Sequence, residues 1–287
     1  MADGVLVIDK ASGWTSMDVC AKLRGIFQEK RVGHGGTLDP MATGVLPVFL
    51  GRATRAVEFA AGGQKEYLAV LRLGLVTDTQ DITGTVLRSA PVTADRAALE
   101  AALAAFRGDI LQVPPMYSAV KVNGKRLYDL ARKGKEVERK PRPVTVWSLT
   151  VERQLSETDY ELRIVCSKGT YVRTLCHDLG GALGCGGVMT ALRRVEAGGF
   201  RLEQAVTLEQ VQNAPDRTAL LLPVDVCFAH LPRLELTRAQ SKCVRNGAAF
   251  TWPGSGEVRA YSPEGEFLAV CRGEAGKLTV VKSFFGV

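Results

Sequence analysis

The chain has 287 residues, 46% hydrophobic and 23% charged, an ordinary globular balance for about two domains. Lys and Arg number 37 against 30 Asp and Glu, a formal charge of +7 that favours an anionic partner. No secretory leader or membrane-spanning apolar run is legible, and seven cysteines, an odd number, fit a reducing cytoplasm better than a disulfide framework.

In chain order, Val5 to Ile8 read as a short apolar strand ending in Asp9-Lys10. Gly13-Trp14 turns the chain, and Thr15 with Asp18 makes a capping-box start. The helix it opens carries Val19, Leu23, Ile26 and Phe27 on one face to about Glu29. Lys10, ahead of a glycine-rich loop in a basic protein, is either a solvated turn residue or a phosphate contact.

That loop, Gly33 to Gly44, is the pivot of the chain. Its glycines let the backbone bend sharply and approach a ligand. Asp39 stands before Pro40 and is therefore pushed into extended conformation. A helix cap is the plain alternative for Asp39. Gly44 and Pro47, however, leave room for only about one turn before the strand-like run Val45 to Leu50. The Gly-Lys-Ser/Thr ending and strand-turn-helix setting of a nucleoside-triphosphate loop are missing.

Arg52 and Arg55 head a short helix, and Tyr67 to Leu73 alternates as a strand. Tyr67 opens that strand, so its ring either packs in the core or reaches out of the sheet. Thr77 to Gly84, with Asp78 and Asp81, is a polar turn-forming loop. Thr93 is read as the cap of a helix carrying Leu99, Leu103 and Phe106, stopped by Gly108.

Residues Val113 to Pro143 differ in kind: nine bases stand against three acids, a local +6. A charge run is usually a solvated face. Here Tyr117 and Tyr128 are interleaved with Lys121, Lys125, Arg126 and Arg132, which favours nucleic acid, because rings stack on bases while cations meet phosphates. So few aliphatics over such a length predict a segment that orders on binding.

Val144 to Val151 and Tyr160 to Cys166 alternate as paired strands. Ser167-Lys168-Gly169-Thr170 then turns into a helix with Val172, Leu175, Cys176, Leu179 and Leu183 on one side. Arg173 sits in its first turn, where the helix dipole disfavours a cation. Paired with a buried carboxylate, it would instead lower that acid's pKa and hold it ionised. Cys166, Cys176, His177 and Cys185 lack the paired spacing of a zinc site. Pro215 to Pro232 reads as a surface linker and Leu236 to Asn246 as a helix. Glu257–Tyr261, Glu266–Cys271 and Lys277–Ser283 read as strands of a small module that must dock on the rest.

The stretches IDKASGWTS, GHGGTLDPMATGVLPV, KEYLAVLRLG, TDTQDITG, QVPPMYSAVKVNGKRLYDLARKG, CSKGTYVRTLCHDLG and Leu192–Arg194 closely resemble the bacterial tRNA pseudouridine synthases of the TruB family. One departure is Ala11, where the family usually has proline. The resemblance implies an α+β pseudouridine synthase fold, with a central, mostly antiparallel mixed sheet flanked by helices over residues 1–231. A basic thumb would span about 114–143, and a small β-barrel-like PUA module 232–287. The implied reaction is cofactor-free isomerisation of uridine 55 in the T-loop of tRNA, on a base flipped from its stack.

By that resemblance Asp39 is the catalytic aspartate, Arg173 its paired arginine and Tyr67 the ring stacked on the target base. His34 matches the histidine that takes the flipped base's place, and Leu192 an apolar residue of the pocket. Lys10 and Asp81 fall near the active site, and Tyr117, Lys121, Lys125, Arg126 and Arg132 on the thumb that clamps the T-arm. Whether Asp39 attacks the base, attacks the sugar or removes a proton stays open. No metal, guide RNA or protein partner is implied, and a cytoplasmic monomer is the default. A non-catalytic RNA-folding factor, a glycosidic hydrolase and the family's guide-RNA-dependent relative are the competing readings, the last disfavoured by the long basic insert.

Overall fold

The computed structural model describes residues 2–122 and 124–286. It opens with β1 (Gly4–Lys10), α1 (Ser16–Phe27), β2 (Val32–His34) and β3 (Thr43–Leu50). Helix α1 starts where the capping box predicts: the Asp18 amide donates to Thr15 Oγ1 at 3.0 Å, and the Thr15 amide donates to Asp18 Oδ2 at 2.9 Å. Its Val19, Cys20 and Leu23 are fully buried; burial of one such leucine contributes about 1.5–3 kcal/mol.

Next come α2 (Val57–Ala60), β4 (Lys65–Leu73), the hairpin β5 (Leu75–Thr77) and β6 (Val86–Ser89), α3 (Arg96–Ala102) and β7 (Gly108–Gln112). The cap of α3 is Asp95 rather than Thr93: its carboxylate accepts from the Ala98 amide at 2.8 Å. A carboxylate at the dipole's positive end outcompetes a hydroxyl two residues further out. The basic segment carries β8 (Lys121–Val122), β9 (Lys125–Arg126) and α4 (Leu127–Ala131). It is followed by β10 (Arg142–Gln154), β11 (Asp159–Cys166), α5 (Val172–Ala182), β12 (Gly187–Ala197), β13 (Phe200–Arg201) and α6 (Leu208–Asn213).

The main sheet runs β1-β3-β12-β4-β11-β10-β7, with β2 added to β3 and β13 to β12. Its pairings are antiparallel except β12 with β3, which is parallel. Strand β12 has no clean alternation in sequence, yet it lies in the middle of the sheet. It sets Arg194 opposite both Tyr67 of β4 and Gly44 of β3. Gly44 has φ +98°, and a Cβ there would stand 2.1 Å from the Arg194 carbonyl oxygen, so glycine is required for this crossing.

Pro215 to Pro232 is not a surface linker. Leu222 exchanges two backbone hydrogen bonds of 2.8 Å with Val5, and Phe228 is buried. The apolar side chains of this stretch outweigh its prolines. Beyond it, β14 (Arg233–Glu235), α7 (Arg238–Arg245), β15 (Phe250–Thr251), β16 (Gly256–Tyr261), β17 (Phe267–Glu274) and β18 (Lys277–Ser283) form a curled second sheet, ordered β14-β16-β17-β18-β15. This sheet has its own core around Leu236, Val244, Val258 and Leu268. Its Phe267 and Phe284 rings meet Phe228 at 5.9 and 5.4 Å, and Phe228 meets Phe59 at 5.1 Å. The small module is thus docked through an aromatic cluster.

Candidate active site

Asp39 stands at a turn, not a helix start: the Ala42 amide donates to its carbonyl oxygen at 3.0 Å, and β3 follows at once. Three buried side chains hold the loop. Leu38 N–H donates to Ser16 Oγ at 2.9 Å, and Ser16 Oγ donates back to the Leu38 carbonyl at 3.2 Å. Lys10 Nζ donates to the carbonyls of Ala11, Trp14 and Pro40 at 3.0, 2.7 and 3.2 Å. Arg194, fully buried, donates to the carbonyls of Val45, Gly36 and Thr37 at 2.7, 3.1 and 3.4 Å. Lys10 is therefore buried under the loop, its three donors directed at backbone, rather than solvated or facing the cavity.

Arg173 reaches the loop from the first turn of α5. Its Nε lies 2.8 Å from Asp39 Oδ2 and its Nη2 3.3 Å from Oδ1, a side-on pair. The same guanidinium donates to the carbonyls of Tyr117 (2.9 Å) and Thr79 (3.1 Å), and lies 3.6 Å from Asp81 Oδ2. Asp81 is itself fixed, accepting from Thr79 Oγ1, the Thr83 amide and Thr83 Oγ1 at 2.9, 2.9 and 2.5 Å. Two carboxylates thus offset the unfavourable dipole at the start of α5. One planar group ties four chain segments together.

A cavity of about 390 Å3 opens over this pair, lined by Asp39, Arg173, Tyr67 and Leu192, with Tyr117 and Tyr128 on the thumb side. Asp39's side chain is 33% exposed and Arg173's 6%, so the acid faces the space and the base stands behind it. Burial raises the Asp39 carboxyl above its ordinary value; Arg173 pulls against this, and Asp81 adds to the rise. The expected net lowering by Arg173 is therefore reversed, because crowding by protein outweighs one ion pair. Burial also raises the Tyr67 phenol and brings Lys10 down to about 8, the latter opposed by Asp39.

The remaining predicted residues lie around this centre. His34, on β2, is half-buried and not at the cavity; its Nδ1 is buried without a partner, and burial lowers its pKa. Lys121, Lys125, Arg126 and Arg132 are exposed on the thumb. Arg126 and Arg132 flank Tyr128, with 5.6 and 5.4 Å from guanidinium carbon to ring centroid. No sequence motif singles out Ser16, Lys65, Lys168 or Arg194 individually. Arg194 was within reach, since it lies two residues past Leu192 and strand periodicity puts both on one face. Among the described residues no group of three His, Cys, Asp or Glu side chains is placed to hold a metal ion.

An oriented carboxylate, an aromatic wall and the edge of a basic segment thus share one cavity. Residues 24–172 match the N-terminal domain of the TruB family pseudouridylate synthases, and residues 173–229 the C-terminal domain of tRNA pseudouridylate synthase B. The tRNA pseudouridine synthase B of Syntrophomonas wolfei is 44% identical over 93% of this chain and 92% of its own. That of Azoarcus sp. is 44% identical over 97% and 93%. Among solved structures, an H/ACA RNP bound to a substrate RNA containing 2'-deoxyuridine superposes with TM-score 0.75 at 26% identity, over 99% of this chain and 86% of that one. A Cbf5-Nop10-Gar1 complex gives 0.74 at 28%, over 99% and 85%. The chain belongs to the TruB family: it is a pseudouridine synthase, an isomerase that converts uridine to pseudouridine, in the mixed α/β fold of that family with a curled terminal sheet. Among the described residues no helix is long and apolar enough to cross a membrane.

Proposed function

We propose that the substrate is tRNA and the reacting nucleotide uridine 55 of its T-loop. The carrying observation is the Asp39–Arg173 pair facing a cavity walled by Tyr67 and Leu192. The names of the relatives support tRNA as the substrate. The N1–C1′ bond breaks, the uracil turns, C5 bonds to C1′, C5 releases its proton and N1 gains one. Asp39 is the catalytic residue, as nucleophile or as base. Tyr67 stacks on the extruded uracil, a contact of about 1–3 kcal/mol. Lys10 and Asp81 act through the Asp39 loop and Arg173, and His34 takes the flipped base's place.

In this reading residues 1–231 are the catalytic domain and 232–287 a PUA-like RNA-binding module. The thumb, about 114–143, clamps the T-arm through Lys121, Lys125, Arg126 and Arg132. The protein works in the cytoplasm as a monomer without a guide RNA. The test is incubation with T-arm RNA carrying tritium at uridine C5. Tritium should appear in water while the RNA keeps its mass. Free uracil would indicate a hydrolase, and no release with intact binding an RNA-folding factor.

A further inference from the structure

The turn Lys168-Gly169-Thr170, the start of α5 and Ser118 line the same cavity as Asp39. Gln112 fixes the helix entrance: its Oε1 accepts from the Tyr171 amide at 2.7 Å and its Nε2 donates to the Tyr171 carbonyl at 3.0 Å. Tyr171, the cap residue, offers no side-chain acceptor, and no acid lies in the first turn of this 11-residue helix. The amides of Val172 and Arg173 thus have no side-chain partner at a positive helix end.

Ser118 is 5% exposed, and its hydroxyl is buried with no hydrogen-bond partner, although its carbonyl accepts from the Tyr128 amide at 3.1 Å. A buried hydroxyl left unpaired is unfavourable unless something later satisfies it.

The cations of the cavity are not equally committed. Arg173 is shared between Asp39 and Asp81, and Lys65 donates to the carbonyls of Ala61 and Gly63. Lys168 is exposed and makes no ion pair or side-chain hydrogen bond among the described residues. We infer that Lys168, the Ser118 hydroxyl and the first-turn amides of α5 form a phosphate subsite, which takes a backbone phosphodiester next to the reacting uridine. The inference rests on the reading of the protein as an RNA-uridine isomerase. A lysine, a hydroxyl and helix-end amides are the donor set that phosphate oxygens recognise.

The test uses full-length protein and T-arm RNAs in which each phosphate near the reactive uridine is replaced in turn by a neutral methylphosphonate. One linkage should weaken wild-type binding about tenfold, as loss of a charged hydrogen-bonded contact does, and weaken Lys168→Met by less than about twofold. Equal penalties in both proteins at every linkage would overturn the subsite. Ser118→Ala should leave the melting temperature unchanged or raise it, since no bond is lost in the free protein, while weakening RNA binding by about threefold or more. A lower melting temperature with unchanged affinity would remove Ser118 from the site. Affinities decide the subsite, whereas tritium release by the wild type decides the isomerase reading, so either can fail alone.

Discussion

Arg173 and Asp39, 134 residues apart in sequence, meet side-on through contacts of 2.8 and 3.3 Å. The arginine is almost wholly buried, so it has one geometry to offer, and the acid inherits it. Replacing Asp39 by Asn keeps the shape and removes the reactive carboxylate. Asp39→Asn should lower turnover by about 10^4-fold or more, with RNA affinity within about threefold of wild type. Single-turnover tritium release alongside equilibrium binding checks this. Affinity that collapses with turnover would make Asp39 a structural residue.

The pH dependence carries a sign. Burial, opposed by Arg173 and reinforced by Asp81, lifts the Asp39 pKa above the ordinary aspartate range. Activity that needs the carboxylate therefore disappears on acidification at a higher pH than an ordinary aspartate would give. Asp81→Asn removes a like charge and should move the acid limb of kcat/KM down. Arg173→Gln removes the opposing cation and should move it up. Limbs that shift together would contradict this electrostatic arrangement.

Ser16 does not line the cavity, yet it holds both polar groups of Leu38, the residue before Asp39. Ser16→Ala frees the loop and leaves two buried backbone groups unpaired. We expect kcat to fall roughly 10- to 100-fold with KM nearly constant, because misplacing a reacting group by about 1 Å is enough for that loss. A KM effect alone, from steady-state kinetics, would assign Ser16 to RNA binding instead.

In the proposed reading the charges of the basic segment meet RNA phosphates and act at long range. Lys125, Arg126 and Arg132 are exposed and lie on one short segment. Replacing all three by Ala should weaken tRNA binding at low salt and reduce the slope of log K against log salt by roughly 2. Fluorescence titration at several salt concentrations measures it. An unchanged slope would detach this segment from the RNA.

Alkaline stability should pass through a maximum near pH 9. Burial lowers Lys10 and Lys65 from 10.5 to about 8, so their unfavourable burial is present below pH 8 and relieved between there and 10.5. Burial raises Cys20 and Cys166 to about 11, and Cys176, Cys227 and Cys271 to about 12, from 9.0. Stability from the thiols is whole below pH 9 and is lost as the pH rises through their folded values. Urea midpoints at pH 7, 9 and 10.5 under reducing conditions test this, and Lys65→Met should flatten the rise on the neutral side.

Much of the fold was legible where local chemistry acts alone. The Thr15–Asp18 box starts α1, and the alternation of Tyr67 to Leu73 makes β4. Those signals need only neighbours within a turn or a pleat, so sequence by itself determines them. Motif order did the same for the choice of Asp39, Arg173, Tyr67 and Leu192, which the structure brings to one cavity. Other features depend on partners remote in the chain. Strand β12 shows no clean alternation in sequence, yet β3 and β4 pair with its two edges, and its Arg194 bonds a loop some 150 residues earlier, with separations of 149 to 158. Lys10 looks like a surface cation until Pro40 and Trp14 enclose it, and the direction of the Asp39 pKa follows from how much protein surrounds it. Spacing along a chain reports which faces are apolar; only packing decides how dry a charge becomes and which distant carbonyl it must satisfy.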